Sequence, residues 1–176
     1  MGTLRTESDA SSPNGSPDAP ADGQPSWLTP DEQQAWRAHL AASKLLSRQL
    51  DRDLNSFGLS INDYEILVVL SESPDQRLRM TDLADATAQS RSRLSHQITR
   101  MEASGLVRRD TCPGDKRGLY AVLTDEGMAT IERVAPHHVA SVRRHFISLL
   151  TGDQLSAIRE GYGVVTDHLR EIRDRD

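Results

Sequence analysis

The chain has 176 residues, of which 36% are hydrophobic and 4% aromatic, enough for one domain with extensions but thin for a self-sufficient core. A single cysteine, Cys112, excludes an intrachain disulfide framework, and no apolar run reaches the roughly 18 residues of a membrane span. The net charge of −5 is unevenly distributed, because residues 77–117 carry nine basic and five acidic side chains. The N-terminus also lacks the apolar segment of a signal peptide. We therefore expect a cytoplasmic protein with no membrane partner, whose apolar surface is completed by a second copy of the chain.

The first 26 residues are dominated by Ser, Pro, Gly, Asp and Ala. Such a composition buries too little apolar surface to offset its ordering entropy, so a disordered tail is predicted. A first helix is predicted to begin after Thr29, a suitable N-cap, with Pro30 in its first turn. It is expected to run to about Asn55 and to end before Gly58. Its apolar positions are Trp36, Leu40, Leu46, Leu50 and Leu54.

The next elements are a second helix, a minimal strand and a short third helix. Ser60 is the predicted N-cap of the second helix, which ends before Pro74. Arg77-Leu78-Arg79 predicts the strand, and residues 81–86 predict the third helix with Thr81 as its cap. The inward-facing residues of the second helix are predicted to be Tyr64, Leu67, Val68 and Leu70.

Ser90 is predicted to cap a fourth helix with a polar face of unusual charge. Leu94, Ile98 and Met101 recur at i, i+4 and i+7, so they share one buried face. The opposite face and its flanks carry no carboxylate before Glu102. A surface helix ordinarily mixes both signs of charge, whereas a helix that meets phosphate avoids carboxylates, so a DNA-reading face is favoured. Its residues are Ser92, Arg93, Ser95, His96, Thr99, Arg100 and Ala103.

A β-hairpin is predicted next, because Gly105 suits a C-cap and Pro113-Gly114 predicts a turn between residues 106–109 and 119–123. Thr124 is the predicted cap of a fifth helix, and residues 151–153 break the chain before a sixth. The apolar positions of the fifth helix include Ile131, Val134, Val142, Phe146 and Leu149. On the sixth helix a heptad seam indicates either an internal packing face or a dimer contact. The seam consists of Leu155, Ile158, Tyr162, Val165, Leu169 and Ile172.

A helix followed by a basic hairpin is the arrangement with which a winged-helix domain reads duplex DNA, the helix in one groove and the hairpin tip in the next. Two other interpretations stay open. The Arg-rich stretch also fits a solvated surface, and a winged helix that binds a protein partner is expected to show an acidic or apolar fourth helix. The sequence offers no sign of an enzyme: it contains no Gly-rich phosphate loop, no recognisable motif around a Ser or Cys nucleophile and no pair of carboxylates near a histidine.

Two motifs make the chain resemble the MarR family of bacterial winged-helix regulators over roughly residues 30–172. Residues 115–127, DKRGLYAVLTDEG, resemble the family's D-x-R…L-T-x-x-G wing signature. Residues 101–107, MEASGLV, resemble the L-E-x-x-G-L-V pattern that closes its recognition helix. The resemblance implies a mainly α fold, a winged helix-turn-helix with a small antiparallel β-hairpin, the wing, and N- and C-terminal helices that form an intertwined dimerisation region.

Composition and the resemblance together divide the chain into four segments with three roles. Residues 1–26 form the tail, residues 27–57 and 125–173 the dimerisation region, and residues 58–124 the DNA-binding domain. The dimerisation residues are expected to be Trp36, Leu40, Phe146, Leu155, Ile158, Tyr162, Val165 and Leu169.

The DNA-contacting residues are drawn from the third helix, the fourth helix and the wing. They are Thr81, Ser90, Arg91, Ser92, Arg93, Ser95, His96, Arg100, Asp115, Lys116 and Arg117. By resemblance, Arg117 reaches the minor groove, Asp115 holds it through a salt bridge, and Lys116 meets phosphate. The alternative is a local Asp115–Arg117 turn pair with no role in DNA binding. Three residues depart from the family pattern: Arg93 stands where small hydroxyl side chains are frequent, His96 where Arg is frequent, and Gln97 where an apolar residue is usual.

The expected function is sequence-specific regulation of transcription, by family default repression, through an inverted-repeat operator bound by a homodimer. A small aromatic effector between the first, second and fifth helices is implied by the resemblance alone. We expect no cofactor, no catalytic residue and no resident metal, and we interpret Cys112 as a bystander thiol. The open alternatives are a protein-interaction module and a metal-responsive regulator. The histidines of the latter would be His39, His137, His138 and His145.

Overall fold

A computed structural model of the chain describes residues 26–112 and 115–173, with the side chains of residues 115–117 left undescribed. The predicted tail, residues 1–26, lies outside the described residues except for its last position. The elements follow the predicted order. They are α1 (Pro30–Asn55), α2 (Ile61–Ser71), β1 (Arg77–Arg79), α3 (Met80–Ala86), α4 (Arg91–Ala103), β2 (Val107–Cys112), β3 (Asp115–Leu123), α5 (Asp125–His145) and α6 (Gly152–Arg173), with 3₁₀ turns at Pro74–Gln76 and Ile147–Leu149.

The described residues fall into two compact units, one before Leu40 and one from Leu40 onward. In the first unit, α1 begins at a capping box: the Thr29 backbone N–H donates to Glu32 Oε2 (2.7 Å), and the Glu32 N–H donates to Thr29 Oγ1 (3.3 Å). The predicted cap is therefore confirmed. Within the same unit the exposed ring of Trp36 stacks on His39, with 5.5 Å between the ring centroids.

The core of the second unit lies between α2, α3, α4 and the sheet. Ile66, Leu67 and Leu70 of α2 are fully buried, as are Leu83 of α3 and Ile98 of α4. Burying each such side chain stabilises the fold by about 1.5–3 kcal/mol relative to leaving it exposed, so this cluster fixes how α4 is held. The buried face predicted for α4 is confirmed.

The connection between α1 and α2 forms as the sequence predicts. Gly58 follows α1 with φ +75°, a backbone conformation that favours glycine, and Ser60 then caps α2. The Ser60 backbone N–H donates to Asp63 Oδ2 (2.9 Å), and the Asp63 N–H donates to Ser60 Oγ (3.1 Å). This second capping box places Asp63 at the start of α2, beside α4.

The sheet has three antiparallel strands in the order β1-β3-β2. The predicted three-residue strand is confirmed as β1, and its Arg79 pairs with Tyr120 of β3. The hairpin is longer than predicted, because β2 continues to Cys112; the predicted Pro113-Gly114 turn lies outside the described residues. Val122 is buried although alternation predicts the outer face, since its register partners Arg77 and Arg108 flank it with their long side chains.

The predicted cap of the third helix is wrong. The helix α3 begins at Met80, and Arg79 occupies the N-cap position with no side-chain cap hydrogen bond. Thr81 lies inside the first turn, where its Oγ1 donates to Asp82 Oδ1 (3.1 Å). The reason is that β1 runs directly into α3, so no loop residue intervenes to supply a capping side chain.

Thr124 and Gly127 join the hairpin to α5 in a way that explains the L-T-x-x-G motif. Thr124 Oγ1 accepts from the Gly127 N–H (3.0 Å) and donates to Leu106 O (2.9 Å), so one hydroxyl caps α5 and ties it to the base of the hairpin. A Cβ on Gly127 would lie 2.2 Å from Leu106 O. Only glycine allows this approach.

The last helix begins inside the predicted break at residues 151–153, so the break is shorter than predicted. Thr151 forms a capping box with Gln154, so Gly152 already belongs to α6. Across the described ranges, none of the helices combines the length and apolar character that crossing a membrane requires.

Candidate nucleic-acid interface

The helix α4 presents the polar face that the sequence predicts. Ser90 caps it by accepting from the Arg93 N–H (3.3 Å), while Leu94, Ile98 and Met101 anchor the opposite side in the core. With the buried side fixed, the remaining side chains are turned outward. Those predicted to contact DNA at its N-terminal half are all exposed: Ser90, Arg91, Ser92, Arg93, Ser95 and His96.

Arg100, predicted to flank the major groove, is held by a carboxylate that the sequence analysis missed. Its Nη2 donates to Asp63 Oδ1 (2.7 Å), and the Gln97 Nε2 donates to the same oxygen (3.1 Å). Gln97 is buried, so its departure from the usual apolar residue is explained by this polar contact with α2. The side chain of Arg100 stays 64% exposed, so its pairing leaves part of the guanidinium open to a ligand.

Asp63 stays ionised in this position because its hydrogen bonds offset its burial. Burial alone acts to raise the pKa of the Asp63 carboxyl. Hydrogen bonds from Ser60, Arg100 and Gln97 together act more strongly in the other direction, and the net pKa lies below its ordinary value. The local sequence indicates only that Asp63 caps its own helix. Its contacts with Gln97 and Arg100, which lie 34 and 37 positions later, depend on tertiary packing.

Arg109 lies between the hairpin and α4, which the sequence analysis also missed. Its backbone N–H donates to Glu102 Oε1 (2.7 Å), and its Nη1 pairs with Glu102 Oε2. Its Nη2 donates to Ser95 O (2.8 Å) and Thr99 Oγ1 (3.0 Å). Although Arg109 counts toward the positive charge of the region, its guanidinium is engaged inside the protein.

Two open grooves flank α4, and cationic side chains line both. One groove, of about 340 Å³, lies between α3, the start of α4 and the hairpin. The other, of about 410 Å³, lies between α4 and the start of α2. The first is lined by Arg79, Met80, Thr81, Arg91, Ser95, Arg109, Gly118 and Leu119, and the second by Ser60, Asn62, Arg93, His96, Gln97 and Arg100. Thr81 thus shares a groove with Arg91, although it caps no helix.

The outer face of the sheet carries charges that are largely paired within the protein. Arg108 pairs with Asp110 at 3.0 Å, and Arg77 pairs with Asp75 at 3.2 Å. Arg77 also lies 5.2 Å from the centroid of the Tyr120 ring. The predicted wing contacts are residues 115–117, whose backbone belongs to β3 but whose side chains, including the predicted Asp115–Arg117 salt bridge, lie outside the described residues.

This geometry is shared with solved transcription regulators. A MarR family model matches residues 57–118, which span α2, α3, α4 and most of the hairpin. AbsC, a MarR family transcriptional regulator from Streptomyces coelicolor, is 58% identical, with a TM-score of 0.79 over 84% of this chain and 99% of its own. The chain belongs to the MarR family.

Two further relatives support this membership in the MarR family. Sco3205, another MarR family regulator from Streptomyces coelicolor, was solved in complex with DNA; it is 45% identical, with a TM-score of 0.80 over 84% of this chain and 93% of its own. PecS from Dickeya dadantii, an HTH-type transcriptional regulator, is 30% identical over 72% of this chain and 76% of its own. The present chain is accordingly a DNA-binding, winged-helix regulator of transcription.

Five of the eight residues predicted to form the dimer contact lie on α6, along a largely uncovered apolar face. Tyr162 is 47% exposed, Val165 53% and Leu169 58%, at positions that share one side of the helix. Leu155 and Ile158 of the same seam are half-buried, as are Leu40 of α1 and Phe146 after α5; Trp36 is exposed in its own unit. Exposed apolar side chains of this size in one row ordinarily mark a surface that another chain covers.

The histidines that the metal alternative requires do not form a ligand cluster. Within residues 26–112 and 115–173, His, Cys, Asp and Glu side chains do not gather in groups of three or more that could hold a metal ion. His137 packs against Phe57 and His138 against Tyr64, while His145 Nε2 lies 3.6 Å from Asp53 Oδ2. Cys112 is buried at the end of β2. The described geometry therefore favours neither a metal centre nor an exposed reactive thiol.

Proposed function

We propose that this chain is a homodimeric repressor that reads an inverted-repeat operator with α4 and the tip of its wing. The observation that carries the proposal is the exposed, Ser90-capped face of α4, which bears cations and hydroxyls but no carboxylate of its own before Glu102. Such a face meets phosphate and base edges without repulsion. We further propose that the protein acts in the cytoplasm and has no catalytic activity.

The contacts with DNA divide into base readout and phosphate binding. The N-terminal half of α4 supplies the groups for the major groove, where Arg93 pairs bidentately with guanine and His96 donates to bases or phosphates. The backbone N–H groups at Ser90 and the hydroxyl of Thr81 bind phosphates on either side. The remaining proposed contacts are Arg91, Ser92, Ser95, Arg100, Asp115, Lys116 and Arg117.

The homodimer follows from the apolar seam of α6. Residues 27–57 and 125–173 form the proposed dimerisation region, residues 58–124 the DNA-binding domain, and residues 1–26 an N-terminal tail. Burial of the seam stabilises the dimer by about 25 cal/mol for each Å² of apolar surface that is removed from water. A two-fold axis between two copies places two α4 helices on one side of the duplex, so the half-sites should lie about one helical turn, roughly 10 bp, apart.

Release by a small aromatic effector is supported by a hollow between α2 and α5. The hollow, of about 380 Å³, is lined by the apolar side chains of Ile61, Val68 and Val69, by the rings of Tyr64 and His138, and by the carboxylate of Glu65. Among the described residues, His138 Nδ1 is buried without a hydrogen-bond partner, and burial lowers the pKa of the His138 imidazole. A ring that stacks in the hollow and offers a hydroxyl or carboxylate to this nitrogen would satisfy it.

Selection of bound fragments from genomic DNA with the purified protein tests the operator and the dimer together. We expect an enriched motif with two-fold symmetry, and we expect transcription in vitro from a promoter that carries it to fall when the protein is added. The same selection with the Arg93→Ala variant should yield altered base preferences within each half-site. A single unrepeated half-site would contradict the dimer, and increased transcription would contradict the repressor.

The effector proposal needs a separate binding assay. Salicylate, a phenol with a carboxylate, serves as the probe, and its binding is followed by the melting temperature of the protein and by release of the selected operator. We expect both signals in the wild type and their loss in the His138→Phe variant, which retains an aromatic ring but has no nitrogen. Equal responses of the two proteins would exclude the His138 nitrogen from effector binding.

A further inference from the structure

Arg109 contacts α4 at three successive turns on one side of the helix. Its Nη2 donates to Ser95 O (2.8 Å) and Thr99 Oγ1 (3.0 Å), and its Nη1 pairs with Glu102 Oε2. The backbone N–H of Arg109 donates to the second oxygen of the same carboxylate (2.7 Å). Ser95, Thr99 and Glu102 are spaced i, i+4 and i+7, so they lie in one row facing β2.

These contacts are sheltered, unlike the other ion pair of the same strand. The side chains of Arg109 and Glu102 are 21% and 30% exposed, whereas those of Arg108 and Asp110 are 56% and 46% exposed. A carboxylate that accepts from both a guanidinium and a backbone N–H in a sheltered position is held more firmly than an exposed surface pair. Arg109 therefore serves the protein's own geometry, while Arg108 lies on the outer face.

The pair lies where the hairpin would otherwise be free to tilt. Val107 of β2 and Leu123 of β3 are buried and pair in register, so apolar packing fixes the base of the hairpin. Arg109 lies two residues farther toward the tip, opposite Ala121. Its polar contacts therefore extend the attachment of the hairpin along α4, beyond the reach of the apolar base.

We infer that Glu102 and Arg109 are positioning residues that fix the angle between the wing and α4, so that both elements meet the same duplex. The inference rests on the proposed DNA contacts of α4 and of Arg117. Neither member of the pair touches DNA in this arrangement. The pair acts by delivering the wing tip to the minor groove while α4 occupies the adjacent major groove.

A double-mutant cycle between Glu102→Gln and Arg117→Ala tests this inference on the full-length protein. The operator is the fragment selected by the wild type, and affinity is measured at several salt concentrations. We expect Glu102→Gln alone to weaken binding about tenfold and to reduce the salt slope by about one, as loss of one cationic contact does. In the Arg117→Ala background, Glu102→Gln should lower affinity for the operator by less than about twofold. The reason is that a wing without Arg117 has no minor-groove contact to lose when its position changes.

Two further variants separate positioning from a loss of fold. Glu132→Gln makes the same chemical change on an exposed side chain of α5 and should leave affinity and salt slope unchanged. Thr99→Val removes one acceptor of Arg109, together with the hydrogen bond from Thr99 Oγ1 to Ser95 O, and leaves the charges of Glu102 and Arg109 in place. It replaces Glu102→Gln in the cycle if Glu102→Gln lowers the melting temperature.

The outcomes are distinct. The positioning role is overturned if the effects of Glu102→Gln and Arg117→Ala on affinity are independent. It is also overturned if Glu102→Gln leaves the salt slope unchanged. In both cases the DNA-binding function stands. If the wild type itself binds no duplex, the proposed function fails and the inference fails with it.

Discussion

Arg117 is the proposed DNA contact whose removal should change both the affinity for DNA and its salt dependence. Because it is proposed to reach the minor groove at the wing tip, Arg117→Ala should weaken binding to every duplex, with a shallower dependence on salt. The loss should be about 1.5–3 kcal/mol, the usual contribution of a charged hydrogen bond. Titrations of labelled operator at several salt concentrations measure both quantities.

The matched control for this prediction is Arg159→Ala. Arg159 is an exposed cation on α6, outside the proposed interface, and its only described partner is Glu160. The variant should bind as the wild type does. Equal affinities and equal slopes for Arg117→Ala and the wild type would remove the wing tip from the mechanism.

Asp63 predicts a pH dependence of stability with a definite sign. Its pKa is lowered in the folded protein, so its contribution to stability is fully present above the unfolded pKa of about 3.9 and is lost as pH falls through the folded value. Asp63→Asn should therefore destabilise the protein by about 1–3 kcal/mol at neutral pH, and its deficit should shrink in acid. Urea unfolding monitored between neutral and acidic pH measures the difference.

Asp167→Asn on α6 provides the control for Asp63→Asn. Asp167 is exposed and lies 4.0 Å from Arg170, so its removal should change stability little at any pH. A deficit for Asp63→Asn that stays constant down to the acid limit would show that its carboxylate does not carry the α2–α4 contact.

The residues that sequence could not predict are those whose partners are distant along the chain. The buried and exposed faces of α4 follow from a 3.6-residue period, so Leu94 and Arg93 were assigned correctly. The contacts Asp63–Arg100 and Arg109–Glu102 join different elements, and no local pattern specifies them. The cap at Thr81 was predicted wrongly for a related reason, because the pairing of β1 with β3 fixes where α3 begins.

The junction between the hairpin and α5 depends on one glycine, Gly127. A Cβ at Gly127 would meet Leu106 O at 2.2 Å and Leu123 Cδ1 at 2.7 Å, so the start of α5 would have to move away from the hairpin. Gly127→Ala should destabilise the fold by about 1–3 kcal/mol, as overpacking does. The melting temperature and the urea midpoint report the change.

Gly161→Ala is a matched control for the Gly127 prediction. Gly161 also lies inside a helix, but a Cβ there would meet nothing within 4 Å. Alanine should raise stability at this site by roughly 0.5–1 kcal/mol, because it favours the helix over the unfolded chain. Destabilisation of equal size in both variants would show that helix position, and not the Leu106 contact, governs the effect.

The apolar seam of α6 predicts that the protein self-associates. Val165→Glu places a charge within the seam and should shift the protein from dimer to monomer, because an unpaired carboxylate is costly to bury. Sedimentation velocity at micromolar concentration measures the shift. Affinity for the full operator should fall along with the dimer, since two linked half-sites bind far more tightly than one.

Val164→Glu controls for the added charge. Val164 is 73% exposed and points away from the seam, so the same substitution there should leave the dimer intact. A dimer that persists in Val165→Glu would place the association surface elsewhere on the chain.

In the proposed complex, α4 and the wing of one protomer contact the same duplex in adjacent grooves. Hydroxyl-radical and dimethyl-sulfate footprints of the protein on its selected operator test this most directly, because they report the minor and major grooves separately. We predict protected guanines in the major groove of each half-site, with protected sugars in the minor groove immediately outside them. Protection of the major groove without the flanking minor-groove signal would exclude the wing from the interface. Protection of neither groove would exclude both elements.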